Sequence, residues 1–274
     1  MTTGTELTEE STSRFVQAGS FKLHYNEAGS GPALILLHGG VAGSCGWNNF
    51  AWSLPLLARS FRAMAVDLPN NGKSDAVALT EPASLANARA VKDMLDSLGI
   101  EKAYLAGNTQ AVREFAIEWP ERTLGIACIG GGATGQSIFV PRNPDPSPLQ
   151  LAQQKPSEET IRGLAKFIMY DASRWDDQII AMTTAYATNP EQAKARGESF
   201  RGAGRDLLAE SAKVTCPALA IFGRDDRQAA LDGSLRLLWA LPDSELHIWS
   251  KAGHFPHVDQ PEKFARLLEY FFLG

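Results

Sequence analysis

The sequence predicts an α/β protein: a mainly parallel twisted sheet with helices on both faces and an inserted helical lid. Three observations predict it. Short apolar runs alternate with helical patterns before residue 134 and again after residue 210, the signature of parallel strands joined by crossover helices. The stretch between them reads as helices without strands. The chain of 274 residues, 44% apolar and 21% charged, is long enough to bury a large core. The expected division is a disordered polar tail over 1–14, a core over 15–133 and 211–274, and a helical lid over 134–210.

Taken in order, 21–27 reads as an early strand and 33–37 as a buried strand that ends at His38-Gly39-Gly40. Residues 50–59 read as a helix and 62–67 as a strand, followed by the turn Pro69-Asn70-Asn71-Gly72. Residues 84–98 repeat apolar side chains at helical spacing (Leu85, Ala88, Val91, Met94, Leu95, Leu98). The next strands are 102–106 and 124–129, the latter closed by Gly130-Gly131-Gly132. A proline-rich loop with Pro141, Pro144, Pro146, Pro148 and Pro156 opens the insertion, and Ile161, Leu164, Phe167 and Ile168 form a stripe of the kind that packs a lid. The alternation resumes with a strand at 217–222, a helix at 229–240, a strand at 245–249 and a helix at 261–272. No internal repeat is present.

Composition narrows the function. With 26 basic and 31 acidic residues the net charge is −5, and no basic run occurs. Nucleic acid and an anionic membrane surface are therefore not the expected partners. Cys45, Cys128 and Cys216 are scattered without a CxxC, which fits buried thiols in a reducing compartment. Residues 1–14 lack an apolar signal-peptide segment, and no run approaches the ~18 apolar residues of a membrane span. The expectation is a cytoplasmic protein acting on a small molecule. No metal-ligand cluster or phosphate-binding glycine loop is visible, so no metal or cofactor is expected; Gly130-Gly131-Gly132 lacks the GxGxxG spacing.

Ligands of such sheets bind at the carboxyl ends of the strands, where His38, Thr109, Asp226 and His254 all fall. Gly107-Asn108-Thr109-Gln110-Ala111 occupies a strand-to-helix turn of the kind that presents a serine in Gly-x-Ser-x-Gly, with threonine in the serine's place. Downstream, Gly223-Arg224-Asp225-Asp226 and Gly253-His254-Phe255 supply a carboxylate and a histidine in the chain order nucleophile, acid, base. Asp225 and His257 compete for those two roles. His24 and His247 sit inside strand patterns and read as structural. The Gly40 and Gln110 N–H groups are the candidate oxyanion donors.

These stretches resemble the α/β-hydrolase family over residues 18–274. Residues 38–50, Ala65-Val66-Asp67 with Lys73-Ser74-Asp75, Gly107-Asn108, residues 223–231 and His254 resemble more narrowly the meta-cleavage product hydrolases. Those enzymes cut a carbon–carbon bond in 2-hydroxy-6-oxohexa-2,4-dienoates. The resemblance implies His254 as proton shuttle, Asp226 as its orienter, and Gly40 and Gln110 as oxyanion donors, with Thr109 in the nucleophile's place. It further implies Asn49 and Asn108 at the substrate's polar end, and Phe255 where the subfamily has tryptophan. It allows a homo-oligomer.

Four departures stand against that pattern. Threonine replaces serine at a turn that usually forces positive φ, the worst setting for a β-branched side chain. Ala111 replaces a glycine. The stretch 109–120 is about three residues short, close to one helical turn of ~3.6 residues. Thr183 stands where the subfamily carries a substrate-clamping arginine, which points to a less acidic substrate. Among the lid arginines Arg162, Arg174, Arg196, Arg201 and Arg205, none is singled out as a substitute. Three readings follow: a cofactor-independent hydrolase of a small, largely apolar carbonyl compound; a non-hydrolytic relative that binds a small molecule or moves protons through His254, including ring closure; and a hydrolase in which Ser44 or another hydroxyl attacks.

Overall fold

The computed structural model describes residues 7–130, 144–202 and 204–274. Eight strands form one sheet: β1 (Ser13–Ala18), β2 (Phe21–Ala28), β3 (Ala33–Leu37), β4 (Arg62–Val66), β5 (Ala103–Gly107), β6 (Thr123–Ile129), β7 (Ala218–Gly223) and β8 (Ser244–Trp249). Their spatial order is β1-β2-β4-β3-β5-β6-β7-β8. The two pairs at the β1 end are antiparallel and the rest are parallel, as the alternating pattern predicts.

Buried clusters line both faces. One joins Ile35, Leu37, Met64 and Leu105 to Val91, Met94 and Leu95 of the helix Ala83–Ser97. The other joins Leu34, Leu36 and Ile221 to Phe264 and Leu268 of the helix Pro261–Leu273. Each fully buried aliphatic or Phe side chain contributes roughly 1.5–3 kcal/mol. This fixes the strands, and with them the loops at their carboxyl ends.

Two expectations are corrected. The tail of 1–14 was to be disordered, but residues 9–14 are structured: Glu9–Thr12 is a helix capped by Thr8, and β1 begins at Ser13. Buried Asn26 anchors the segment by donating Nδ2 to Glu9 O and Thr12 Oγ1. The expected helix over 50–59 is two short helices, Gly46–Phe50 and Leu54–Leu57. Pro55 explains the break, since it has no N–H and its ring would clash with the carbonyl four residues back. The first of these helices is instead started by a reciprocal cap, with Cys45 N donating to Asn48 Oδ1 and Asn48 N to Cys45 Sγ.

Four lid helices span Pro148–Gln154, Glu158–Ile168, Asp177–Ala187 and Pro190–Glu198. Ser147 and Ser157 start the first two with side-chain caps, and the Asn189-Pro190 pair starts the last. The predicted stripe closes the lid onto the core: Ile161, Leu164 and Ile168 are buried with Val41, Phe255 and Val258. Gly131, Gly132 and the expected start of the insertion at 134 lie outside the described residues. No helix among the described residues is long and apolar enough to cross a membrane.

Candidate active site

The loops after β7 and β8 bring Asp226 and His254 together. His254 Nδ1 lies 2.8 Å from Asp226 Oδ2, and the carboxylate is fully buried. Asp226 is itself held by its other oxygen, which accepts from Gln228 N at 2.7 Å and Ala229 N at 2.9 Å. A carboxylate only accepts, so Nδ1 carries the hydrogen and Nε2 presents its lone pair. Among the described residues nothing bonds to Nε2. The backbone of His254 is fixed from the lid, its N–H donating to Ile168 O at 2.6 Å.

The competitors fall elsewhere. Asp225 accepts from Lys251 N at 2.9 Å and braces the two loops. His257 is fully buried among Phe50, Phe255 and Phe264, with neither ring nitrogen bonded among the described residues. Burial, helped by nearby His254, pushes its pKa down to about 3, so it packs as a neutral ring.

Thr109 follows β5 at the start of the helix Ala111–Glu118. Its hydroxyl accepts from Ala111 N at 3.3 Å, a local bond at the entry to that helix. Among the described residues no hydrogen bond joins it to His254. The expected backbone strain is also absent: Asn70 and Lys251 are the positive-φ residues other than glycine among those described. Gln110 already has helical angles, φ −65° and ψ −21°, so the turn feeds straight into the helix. A threonine there avoids the positive-φ penalty, and its hydroxyl, accepting from Ala111 N, keeps its own O–H to donate. Ala111 is fully buried in the core.

Thr109 and Gln110 line a cleft of about 340 Å³ together with His38, Gly39, Gly40 and Asn108. The Gly40 and Gln110 N–H groups are unused among the described residues, and the Gln110 N–H sits at a helix N-terminus, where partial positive charge gathers. His38 holds the glycine turn, Nδ1 donating to Gly39 O at 2.8 Å while Nε2 accepts from Leu68 N at 3.0 Å. Burial lowers its pKa, which keeps the neutral tautomer this arrangement needs.

Asn108 stands between that cleft and the histidine. Its Nδ2 donates to His254 O at 3.2 Å. A Cβ on Gly39 would come within 2.7 Å of Asn108 Oδ1, and one on Gly130 within 2.4 Å of Asn108 Nδ2. Two flanking glycines thus make room for this amide.

Asp226 and His254 are not among the residues that line this cleft, and neither are the remaining candidates. Asn49 is fully buried, with Nδ2 on Cys45 O and Asn48 Oδ1 and with Oδ1 unpartnered. Phe255 is fully buried under the lid, stacked beside the His254 ring at 5.7 Å. Ser44 is buried with an unbonded hydroxyl. Thr183, at the expected arginine position, accepts from Asn48 Nδ2 at 2.9 Å and pins the lid helix to the core.

Sequence reasoning missed Asn87 and left Arg196 unselected among the lid arginines; both line the neighbouring part of the cleft. Asn87 looked like one polar residue on an amphipathic helix, and Arg196 like one of several exposed lid arginines. Among the described residues no group of three or more His, Cys, Asp or Glu side chains is placed to hold a metal.

The comparisons agree with this architecture. An alpha/beta hydrolase family model matches residues 34–267. The chain is 36% identical to a 2-hydroxy-6-oxo-6-phenylhexa-2,4-dienoate hydrolase of Burkholderia cepacia, over 96% of this chain and 97% of that protein. It is 34% identical to a 2-hydroxy-6-oxononadienedioate/2-hydroxy-6-oxononatrienedioate hydrolase of Paraburkholderia phymatum, over 98% of both. The solved 2-hydroxy-6-oxo-6-phenylhexa-2,4-dienoate hydrolase of a Rhodococcus strain superposes with a TM-score of 0.83 at 24% identity, covering 96% of this chain and 98% of that one. Fold, dyad geometry and full-length similarity converge: the chain belongs to the alpha/beta hydrolase family, and its full-length relatives include meta-cleavage product hydrolases.

Proposed function

We propose that this chain is a cofactor-independent hydrolase of a small, largely apolar carbonyl compound, cutting a C–C or ester bond with His254 as proton shuttle and water as nucleophile. The observation that carries it is the Asp226–His254 contact, held at 2.8 Å, with no bond to Nε2 among the described residues, Thr109 included, while the Thr109 hydroxyl accepts from Ala111 N. His254 Nε2 takes a proton from water as the water oxygen bonds to the carbonyl carbon. The oxyanion is received by the Gly40 and Gln110 N–H groups. The C–C or C–O bond then breaks, and the imidazolium returns its proton to the departing carbon or oxygen. Asp226 holds the tautomer and stabilises the imidazolium. No covalent enzyme intermediate forms.

The test is turnover of a chromogenic dienoate and of simple aryl esters by wild type, His254→Ala and Thr109→Ala. We expect His254→Ala to lose about 10²–10⁴-fold, the usual range for a general base, and Thr109→Ala to stay within about threefold. Loss of activity in both variants would restore Thr109 as nucleophile. Equal activity in all three would remove the dyad from the mechanism.

A second reading, proton transfer or ring closure without hydrolysis, is favoured by the same lack of a Thr109–His254 hydrogen bond among the described residues. It predicts that wild type tautomerises a dienol but releases no acyl product.

A further inference from the structure

The end of the lid helix Glu158–Ile168 rests directly on the two loops that carry the dyad. The last carbonyls of a helix have no partner within it. Here two of them are taken by the dyad loops. Ile168 O accepts from His254 N at 2.6 Å, and Lys166 O accepts from Nη1 of Arg227, the neighbour of Asp226, at 2.9 Å. On the His254 side the approach is backbone to backbone. A Cβ on Gly253 would come within 2.4 Å of Ile168 O and 3.0 Å of Tyr170 N, so a glycine is needed for the lid to lie this close.

Asp259 closes this contact. It ends the short helix Pro256–Asp259 that follows the His254 loop. Its two oxygens serve different elements. Oδ1 accepts from Asp171 N at 3.0 Å on the lid side, and Oδ2 accepts from Gly253 N at 2.8 Å on the loop side. Tyr170 N lies between them, 3.1 Å from each. Among the described residues no cation pairs with this carboxylate. Burial, with Asp171 nearby, raises its pKa, and the three N–H groups oppose that shift. A partly buried charge without a counter-ion needs such donors, so the carboxylate holds the lid and the loop together.

We propose that Asp259 is a positioning residue that ties the lid to the His254 loop, so that the dyad is aligned only while residues 166–171 are docked. Raising this end of the lid takes Ile168 O from His254 N and Lys166 O from Arg227, and leaves Asp259 with Gly253 N alone. Both dyad loops then lose one side of their support. A catalytic group misplaced by about 1 Å can cost about 10²-fold in rate. His254 is therefore competent under the docked lid and idle under a raised one. This deepens the hydrolase reading by naming how its base is brought into line, and it rests on that reading only for the proton transfer.

Hydrogen exchange and nitrogen-15 NMR of the histidine rings test it without turnover. In wild type the amides of Tyr170, Asp171, Gly253 and His254 should open as one unit; a lid pair that opens at least about tenfold more often than the loop pair would overturn the proposal. Asp259→Asn then breaks the tie at constant size. An amide has one acceptor oxygen, so its NH2 group faces either the Asp171 N–H or the Gly253 N–H, whichever way it turns. Below its melting transition, this variant should lose protection at all four amides and exchange the His254 Nδ1–H at least about tenfold faster. On a chromogenic dienoate its kcat should fall about 10- to 10²-fold with KM within about threefold. Arg227→Ala, at an exposed residue, should move the same signals in the same direction by less. An unchanged His254 ring in folded Asp259→Asn, or protection lost at Tyr170 and Asp171 alone, would overturn the proposal. A disturbed ring with unchanged turnover would uphold the tie and count instead against His254 as the base, so the two readings fail separately.

Discussion

Two Asp–His pairs lie in this chain with the same contact. Asp67 Oδ2 meets His24 Nδ1 at 2.8 Å, and Asp226 Oδ2 meets His254 Nδ1 at 2.8 Å. Among the described residues the first alone continues to a serine: Ser13 Oγ lies 2.8 Å from His24 Nε2. By connectivity alone, Ser13–His24–Asp67 is the more complete triad. Its surroundings give it a structural role. Asp67 also accepts from Gly46 N at 2.7 Å and Lys73 N at 2.8 Å, so every link is used to tie β1, β2 and the loop after β4 together. The Asp226–His254 pair lies instead at the carboxyl ends of β7 and β8, with Nε2 unbonded among the described residues. An Asp–His contact therefore says little until the far nitrogen is followed. A saturated nitrogen fits a strut, and an available one at the strand ends fits the proposed base.

The widest separation between the pairs is expected in turnover. His254→Ala should cost about 10²–10⁴ in kcat/KM, while His24→Ala, assayed at a temperature where it is folded, should leave kcat within about twofold. A large kcat loss in His24→Ala would break the comparison.

Stability should show the reverse. Asp67→Ala strips a buried histidine and two backbone N–H groups of their acceptor, and breaking a buried pair of this kind costs about 3–5 kcal/mol. Asp226→Ala should cost less, because its loop ends at the site rather than between strands. Urea unfolding of both variants gives the ranking, and an equal loss would mean that both pairs are struts.

His257 sharpens the point with a third histidine that has no partner among the described residues. Its folded pKa lies near 3 against 6.5 for a free ring. The unfolded chain thus binds the extra proton between those values. Its contribution is complete above pH 6.5 and is lost as pH falls through that window, by up to about 1.4 kcal/mol per pH unit. His257→Phe should flatten this acid slope in urea midpoints measured from pH 7 to pH 5. An unchanged slope would place the titration elsewhere.

Much of this was legible in the sequence because it depends on local pattern. Alternating apolar runs located seven of the eight strands. The Gly-Arg-Asp-Asp turn and the His254 loop located the dyad, and position after the glycine selected Asp226 over Asp225. Strand β1 was missed because its Ser-Arg-Phe-Val-Gln-Ala alternation at a sheet edge leaves Phe15 47% exposed and reads as polar tail. The aim of a hydroxyl is not a local property. Thr109 was expected under strain and beside His254; it is not at positive φ, and its oxygen accepts from Ala111 N. Asn49 and Phe255 were expected on the substrate, yet Asn49 is buried with its amide on Cys45 and Asn48, and Phe255 is buried against Ile168 of the lid. Arg196 and Asn87 are distant in sequence, and only the lid packing brings them onto one groove.

The smallest expected effect bears most directly on the central claim that His254 works without a hydroxyl from the elbow. Thr109→Ala removes the oxygen and its hydrogen bond from Ala111 N, a net loss of about 0.5–1.5 kcal/mol of stability. Single-turnover kinetics of this variant and wild type on a chromogenic dienoate, with mass spectrometry of the quenched protein, decides it. The account predicts rates within about threefold of each other and no acyl adduct on either protein. A loss of 10²-fold or more in Thr109→Ala, with an acyl group found on Thr109 of the wild type, would contradict it.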